Sequence, residues 1–243
     1  MSPDAVGYRH FHEELDTLKH RLLDMSQVAE ALIESAVESL LNRDQSLAQQ
    51  VIQRDTEVDT LEVEIESRAI ALLALQQPMA RDLRFIVGAI KVSSDLERIG
   101  DHAVNISQCT LRLLAERADI APDPEIEDMA RRARLMLSDG LDAFLRGDGA
   151  LGREVCARDD QVDALHDSVF RILLTHMMAD PRTITPSLEF LLVSRNLERV
   201  ADLATNIAED AVFLAEGKQI KHGAERAELR EREAGATEAE SDA

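Results

Sequence analysis

The stretch SSDLERIGDHAVNI, residues 93 to 106, returns as SRNLERVADLATNI at residues 194 to 207. Eight of the fourteen positions are identical, and Ser, Glu, Arg, Asp and Asn are among them. A duplicated apolar core needs only its apolar positions kept, so shared polar identities mark a shared polar face. Ser93, Glu97, Asp101 and Asn105 are spaced four apart, which stacks them on one side of a helix about 6 Å apart along its axis. Ser194, Glu198, Asp202 and Asn206 repeat that stripe. A second pair of segments, RDTEVDTL at 54–61 and RDDQVDAL at 158–165, agrees in five of eight places. It supplies two more i, i+4 carboxylate pairs, Asp55 with Asp59 and Asp159 with Asp163.

Around these repeats the chain reads as helix throughout. Phe11, Leu15, Leu18, Leu22, Met25, Ala29, Leu32 and Ala36 alternate steps of four and three, the seam of a bundle helix. NRD at 42–44 interrupts it, and a second helix is expected from about residue 45 to 76. Pro78 breaks the chain and suits the start of a third helix, which runs to about residue 117. Two prolines in 118–127 mark a linker, set at 118–124. The plan then repeats: a helix from about 125 to 146, GDG at 147–149, a helix to about 178, ADPRTITPS at 179–187, and a last helix to about 216 with Gly217 as its stop. The fold expected is therefore all-α, two tandem three-helix bundles over 8–117 and 125–217. Residues 218–243, polar and lacking an apolar stripe, are expected to be a disordered tail.

The breaks also set the register of the carboxylates. In an antiparallel hairpin centred on Pro78, Asp55 lies level with Asp101 and Asp59 with Glu97. In one centred between Asp180 and Pro181, Asp159 lies level with Asp202 and Asp163 with Glu198. Four carboxylates meeting in each half repel unless something positive stands among them. One candidate is a cation (iron, manganese, zinc or magnesium) bound by oxygen ligands. The other is an interhelical network with the repeated arginines, Arg54, Arg98, Arg158 and Arg199. The two are compatible.

Composition excludes several functions. A formal charge of −20 opposes nucleic-acid binding, which needs clustered Lys and Arg. Cys109 and Cys156 have no close partner in sequence, which points away from a disulfide framework and toward a reducing cytoplasm. No apolar run reaches the length of a membrane span, so direct insertion is not expected. Asp163 and His166 match part of a di-iron bundle pattern, but the first half has Glu62 at the position of His166, and Glu97 is followed three later by Gly100. A storage or oxidase bundle is thus the alternative reading, and no residues suggest an enzyme's catalytic site.

The segments RDTEVDTLEVEIE, QQPMARDLRFIVGAIKVSSDLERIGDHAVNI, MADPRTITPSLEFLLVSRNLERVADLATNIAED and GKQIKH together resemble the PhoU family, in order and over most of residues 8 to 222. The resemblance implies paired three-helix bundles, a homodimer, and a cytoplasmic negative regulator of the phosphate-starvation response. It implies coupling of a high-affinity phosphate ABC transporter, through its ATPase subunit, to a membrane sensor histidine kinase. The acidic motifs that bind iron or other metals in some members correspond here to Asp55, Asp59, Glu97, Asp101, Asp159, Asp163, Glu198 and Asp202. Leu203 stands where a His commonly follows the motif's Asp in the second half.

Overall fold

The computed structural model describes residues 3–76, 78–116 and 122–220. Helix α1 spans Pro3–Asn42, α2 Gln45–Gln76 and α3 Ala80–Ala115. The second half comprises α4 (Pro124–Arg146), α5 (Gly149–Cys156), α6 (Asp159–Ala179), a 3-10 turn at Pro181–Thr183 and α7 (Ile184–Glu216). The described residues contain no strand, and none of their helices is long and apolar enough to cross a membrane. The all-α expectation holds. The disordered-tail expectation falls mainly on 221–243, and most of the linker on 117–121, both outside the described residues.

The termini follow from local chemistry. The Asp44 carboxylate accepts the backbone N–H of Leu47 at the start of α2. Asp123 accepts that of Glu125 with Pro124 opening α4, and Asp148 accepts those of Ala150 and Leu151. Gly147 and Gly217 end α4 and α7 in the left-handed region, at φ 66° and 70°, where a side chain would be strained.

One element departs from expectation. The middle helix of the second half is split at Ala157–Arg158, whereas α2 runs unbroken through the matching Gln53–Arg54. Arg158 N–H bonds the carbonyl of Val155, and Gln161 N–H that of Arg158, so a tightened i−3 turn interrupts the i−4 ladder. The split lies immediately before Asp159.

The seam of α1 is buried along its whole length, from Phe11 to Ala36. It belongs to one apolar cluster that continues through α2, α3, α4, α6 and α7, so the two bundles share a core. Phe85 of α3 stacks on Phe144 of α4 with ring centres 5.3 Å apart. Helix α3 packs alongside α7, antiparallel, since Lys91 pairs with Asp210, His102 with Asn196 and Arg112 with Glu189. Small residues bring backbones close elsewhere: a Cβ added at Gly152 would lie 2.7 Å from the carbonyl oxygen of Ala208. Both cysteines are free and buried, and burial pushes each thiol up to about 12, keeping it protonated.

Candidate functional site: two unequal carboxylate clusters

The first cluster forms between α2 and α3, as the hairpin register predicts. Asp55 and Glu97 are half-buried, while Asp59 and Asp101 are exposed. Burial raises the Asp55 carboxyl to about 6, and the charges of Asp59 and Asp101 add to it. Glu97 is raised by burial and then by Asp101, Glu62, Asp59 and Asp55. All four predicted carboxylates therefore act on one another across the hairpin. Glu62 joins them, itself raised by burial, Glu66 and Asp59, and hydrogen-bonded to Ser94. Its one sequence signal was its alignment with His166.

The duplicated serines do not extend the site outward. Ser93 and Ser194 are buried, and each donates its hydroxyl back to its own helix, to the carbonyls of Ile90 and Leu191. They allow α3 and α7 to pack closely while keeping the hydroxyl satisfied.

The arginines divide between the halves. In the first, Arg54 turns to Glu57 on its own helix, and Arg98 reaches Asp95 at 4.0 Å. Neighbours one apart in sequence point about 100° away around a helix, which is why Arg54 and Arg98 leave the stripe of Asp55 and Glu97. The charges acting on Asp55 and Glu97 are all negative. In the second half, Arg199 pairs with Asp202 at 3.0 Å and approaches Glu198 at 3.6 Å. The network reading thus describes part of the second cluster and not the first.

The second cluster differs further. Asp159 is buried, at 6% exposure, whereas its counterpart Asp55 is half-buried. Glu198 is raised by burial and by Asp202, and held down by Arg199 and His166, with Asp163 adding a smaller upward push. The ring nitrogen Nδ1 of His166 lies 3.0 Å from the Ser194 hydroxyl. A histidine therefore occupies the place that Glu62 holds in the first half. Arg158 pairs with Asp139 of α4 and lies 3.8 Å from Glu154.

One difference in sequence between the halves bears on Asp55 directly. Gly100 is packed so that a Cβ there would lie 2.7 Å from Asp55 Oδ1. The aligned residue in α7 is Ala201, also buried, so that approach is unavailable to Asp159. A cation would suit the mutual repulsion of the first cluster best. As the side chains stand, however, no three His, Cys, Asp or Glu among the described residues converge closely enough to hold one. Asp59 and Asp101 are exposed, so their rotamers are not fixed by packing.

Comparison with known proteins places this geometry in a family. The family model described as PhoU domain matches twice, over residues 22–110 and 126–211, the two halves identified by the repeat. The chain is 39% identical over 209 residues to the phosphate-specific transport system accessory protein PhoU homolog of Rhizobium meliloti, covering 86% of this chain and 88% of that one. The crystal structure of PhoU from Pseudomonas aeruginosa superposes with a TM-score of 0.80 at 35% identity, covering 86% of this chain and all of the other. The phosphate transport system regulatory protein PhoU from Streptococcus pneumoniae gives a TM-score of 0.81 at 28% identity, over 87% and 99% of the two chains. Sequence, duplicated architecture and fold agree, and the chain belongs to the PhoU family.

Proposed function

We propose that this chain is an accessory protein that restrains the phosphate-starvation response by linking phosphate transport to signalling. The observation that carries the reading is family membership across both halves, with relatives named as accessory and regulatory proteins of phosphate transport. Its finer form is an adaptor between the ATPase subunit of a phosphate ABC transporter and a sensor histidine kinase in the cytoplasm. Exposed apolar residues on the α6–α7 hairpin support docking of a partner or of a second copy. Phe170, Leu174 and Met178 recur every four residues on α6, and Ile184, Leu188 and Leu192 do so on α7.

The carboxylate clusters serve this role by holding the hairpins in register, with a divalent or iron cation as their counter-charge. Asp55, Asp59, Glu97 and Asp101 would hold it in the first half, and Asp159, Asp163, Glu198 and Asp202 in the second. The cation supplies charge neutralisation, and the relatives' names give no support to a storage or oxidase role. Deleting the gene and measuring phosphate-starvation transcripts in phosphate-rich medium tests the regulatory role. Constitutive expression is expected, and normal repression would overturn the reading. Pull-downs with the transporter ATPase subunit and the sensor kinase test the adaptor form, which fails if neither is retained.

A further inference from the structure

The carboxylate clusters leave the arginine of the repeated Leu-Glu-Arg stretch unexplained in the first half, where Arg98 turns away from Glu97. It turns into a groove of about 510 Å³ between α3 and α7. Arg199, its repeat partner, lines the same groove, as do Arg112 and Arg195. The antiparallel register sets Arg98 and Arg199 about level, facing each other across the two helices. We propose that this groove binds a small polyanion carrying two or more phosphoryl groups.

The lining reverses the sign of the molecule. The whole chain carries −20, yet among the described residues four guanidinium groups line this groove and no Asp or Glu does. Carboxylates stand behind the arginines instead. Glu189, whose side chain is 13% exposed, holds Arg112 at 2.8 Å, and Asp95, 15% exposed, lies 4.0 Å from Arg98. Asp202 holds Arg199 at 3.0 Å. The hydrogen bonds to Arg112 and Arg199 orient those guanidinium forks while leaving their remaining N–H groups for a ligand. The arginine side chains stay 48 to 60% exposed for these three, so a ligand can reach them. Neutral amides complete the wall: Asn105 and Gln108 from α3, and Asn196, whose Oδ1 meets His102 Nδ1 at 2.8 Å.

Size and charge select the ligand class. Small-molecule sites commonly enclose roughly 300–1,000 Å³, and this groove falls within that range. A single orthophosphate is too small to meet four guanidiniums drawn from both helices, whereas two or three linked phosphoryl groups span them. Guanidinium forks accept carboxylates by the same geometry, but a phosphoryl group carries more charge in the same space. Because α3 and α7 come from different halves, a ligand held by both would fasten the halves together.

Isothermal titration of the full chain with inorganic triphosphate, in buffer free of divalent cations, tests this. The metal-free condition prevents a cation on the acidic clusters from bridging to the ligand. The expected result is one triphosphate per chain, weakening steeply with added salt, with orthophosphate binding at least tenfold more weakly. The double variant R98Q/R195Q should lose at least tenfold in affinity, while R131Q on α4, outside the groove, should bind as the wild type does. Both altered residues are exposed, and far-UV circular dichroism checks that the variant folds. Hydrogen exchange on the unaltered protein should show triphosphate protecting α3 and α7 around residues 98–112 and 192–199. Absence of binding at millimolar triphosphate, equal loss in R131Q, or protection elsewhere would overturn the proposal. Tenfold tighter binding of citrate or a hexaglutamate peptide would overturn the phosphoryl assignment. The readout is binding by purified protein, so its failure is independent of the regulatory reading.

Discussion

At the scale of single residues, Gly100 governs how closely α2 and α3 bring their carboxylates together. Asp55 Oδ1 occupies the space a Cβ would need, and the aligned Ala201 denies that space in the second half. In Gly100→Ala the Asp55 carboxylate should swing aside, at little cost to the fold, because alanine gains about 1 kcal/mol of helix propensity. Affinity for manganese should drop about tenfold, in line with loss of one well-placed ligand. Titration in a D163N/E198Q background, where the second cluster is silenced, would read this, and undiminished affinity would remove Asp55 from the ligand set. The meeting of four carboxylates between α2 and α3 was legible in the sequence because period and hairpin centre together fix which residues are level. The fates of the arginines were not. They depend on how each helix is rotated about its axis, and a one-residue offset sends Arg98 into a different groove from Glu97. Glu62 and His166 escaped for the same reason: their alignment was visible, but their approach to Glu97 and Glu198 depends on that rotation.

At the scale of helices, the α3–α7 contact carries an electrostatic load of its own. Asp95 is raised to about 6 by burial and by Asp210, against the opposing pull of Arg98 and Lys91. Asp210 is raised too, by burial, while Lys91 holds it down from 3.1 Å. A carboxyl raised in the folded state favours folding while protonated, so its contribution is complete below its ordinary 3.8 and lost as pH rises through about 6. The wild type should therefore lose about 1–2 kcal/mol relative to Asp95→Asn between pH 5 and 7.5. Urea denaturation of both proteins across that range checks it, and parallel curves would show that Asp95 ionises without penalty. Packing of α5 gives a second expectation. Gly152→Ala drives a methyl against the Ala208 carbonyl, a backbone atom that cannot swing away, and should destabilise by about 2 kcal/mol or more in the same assay. The helices themselves were largely legible from seams, caps and prolines. The α5–α6 split was not, since residues 156–160, Cys-Ala-Arg-Asp-Asp, contain neither Gly nor Pro. There the i−4 ladder gives way to i−3 bonds, and Asp159 and Asp160 fall in the first turn of α6.

At the scale of the whole molecule, the duplicated sequence suggests two bundles, and the core shows how far they are joined. Apolar residues of both halves form one cluster. Arg134 of α4 pairs with Glu34 of α1 at 2.8 Å, and Arg84 of α3 donates to the carbonyl of Leu214 at 3.3 Å. Calorimetry should accordingly show a single unfolding transition, with calorimetric and van't Hoff enthalpies in agreement. Two resolved transitions would mean that the halves melt separately. The shared wall of α3 and α7 also bears on how such a chain can change over time. Although the two halves repeat one sequence pattern, each packs a long helix, α3 or α7, against the other, so the wall is complete in neither half alone. A substitution on the inner face of α3 alters the surroundings of α7, so its consequences are felt in both halves. The repeat provides two like parts, and the α3–α7 wall makes each depend on the other.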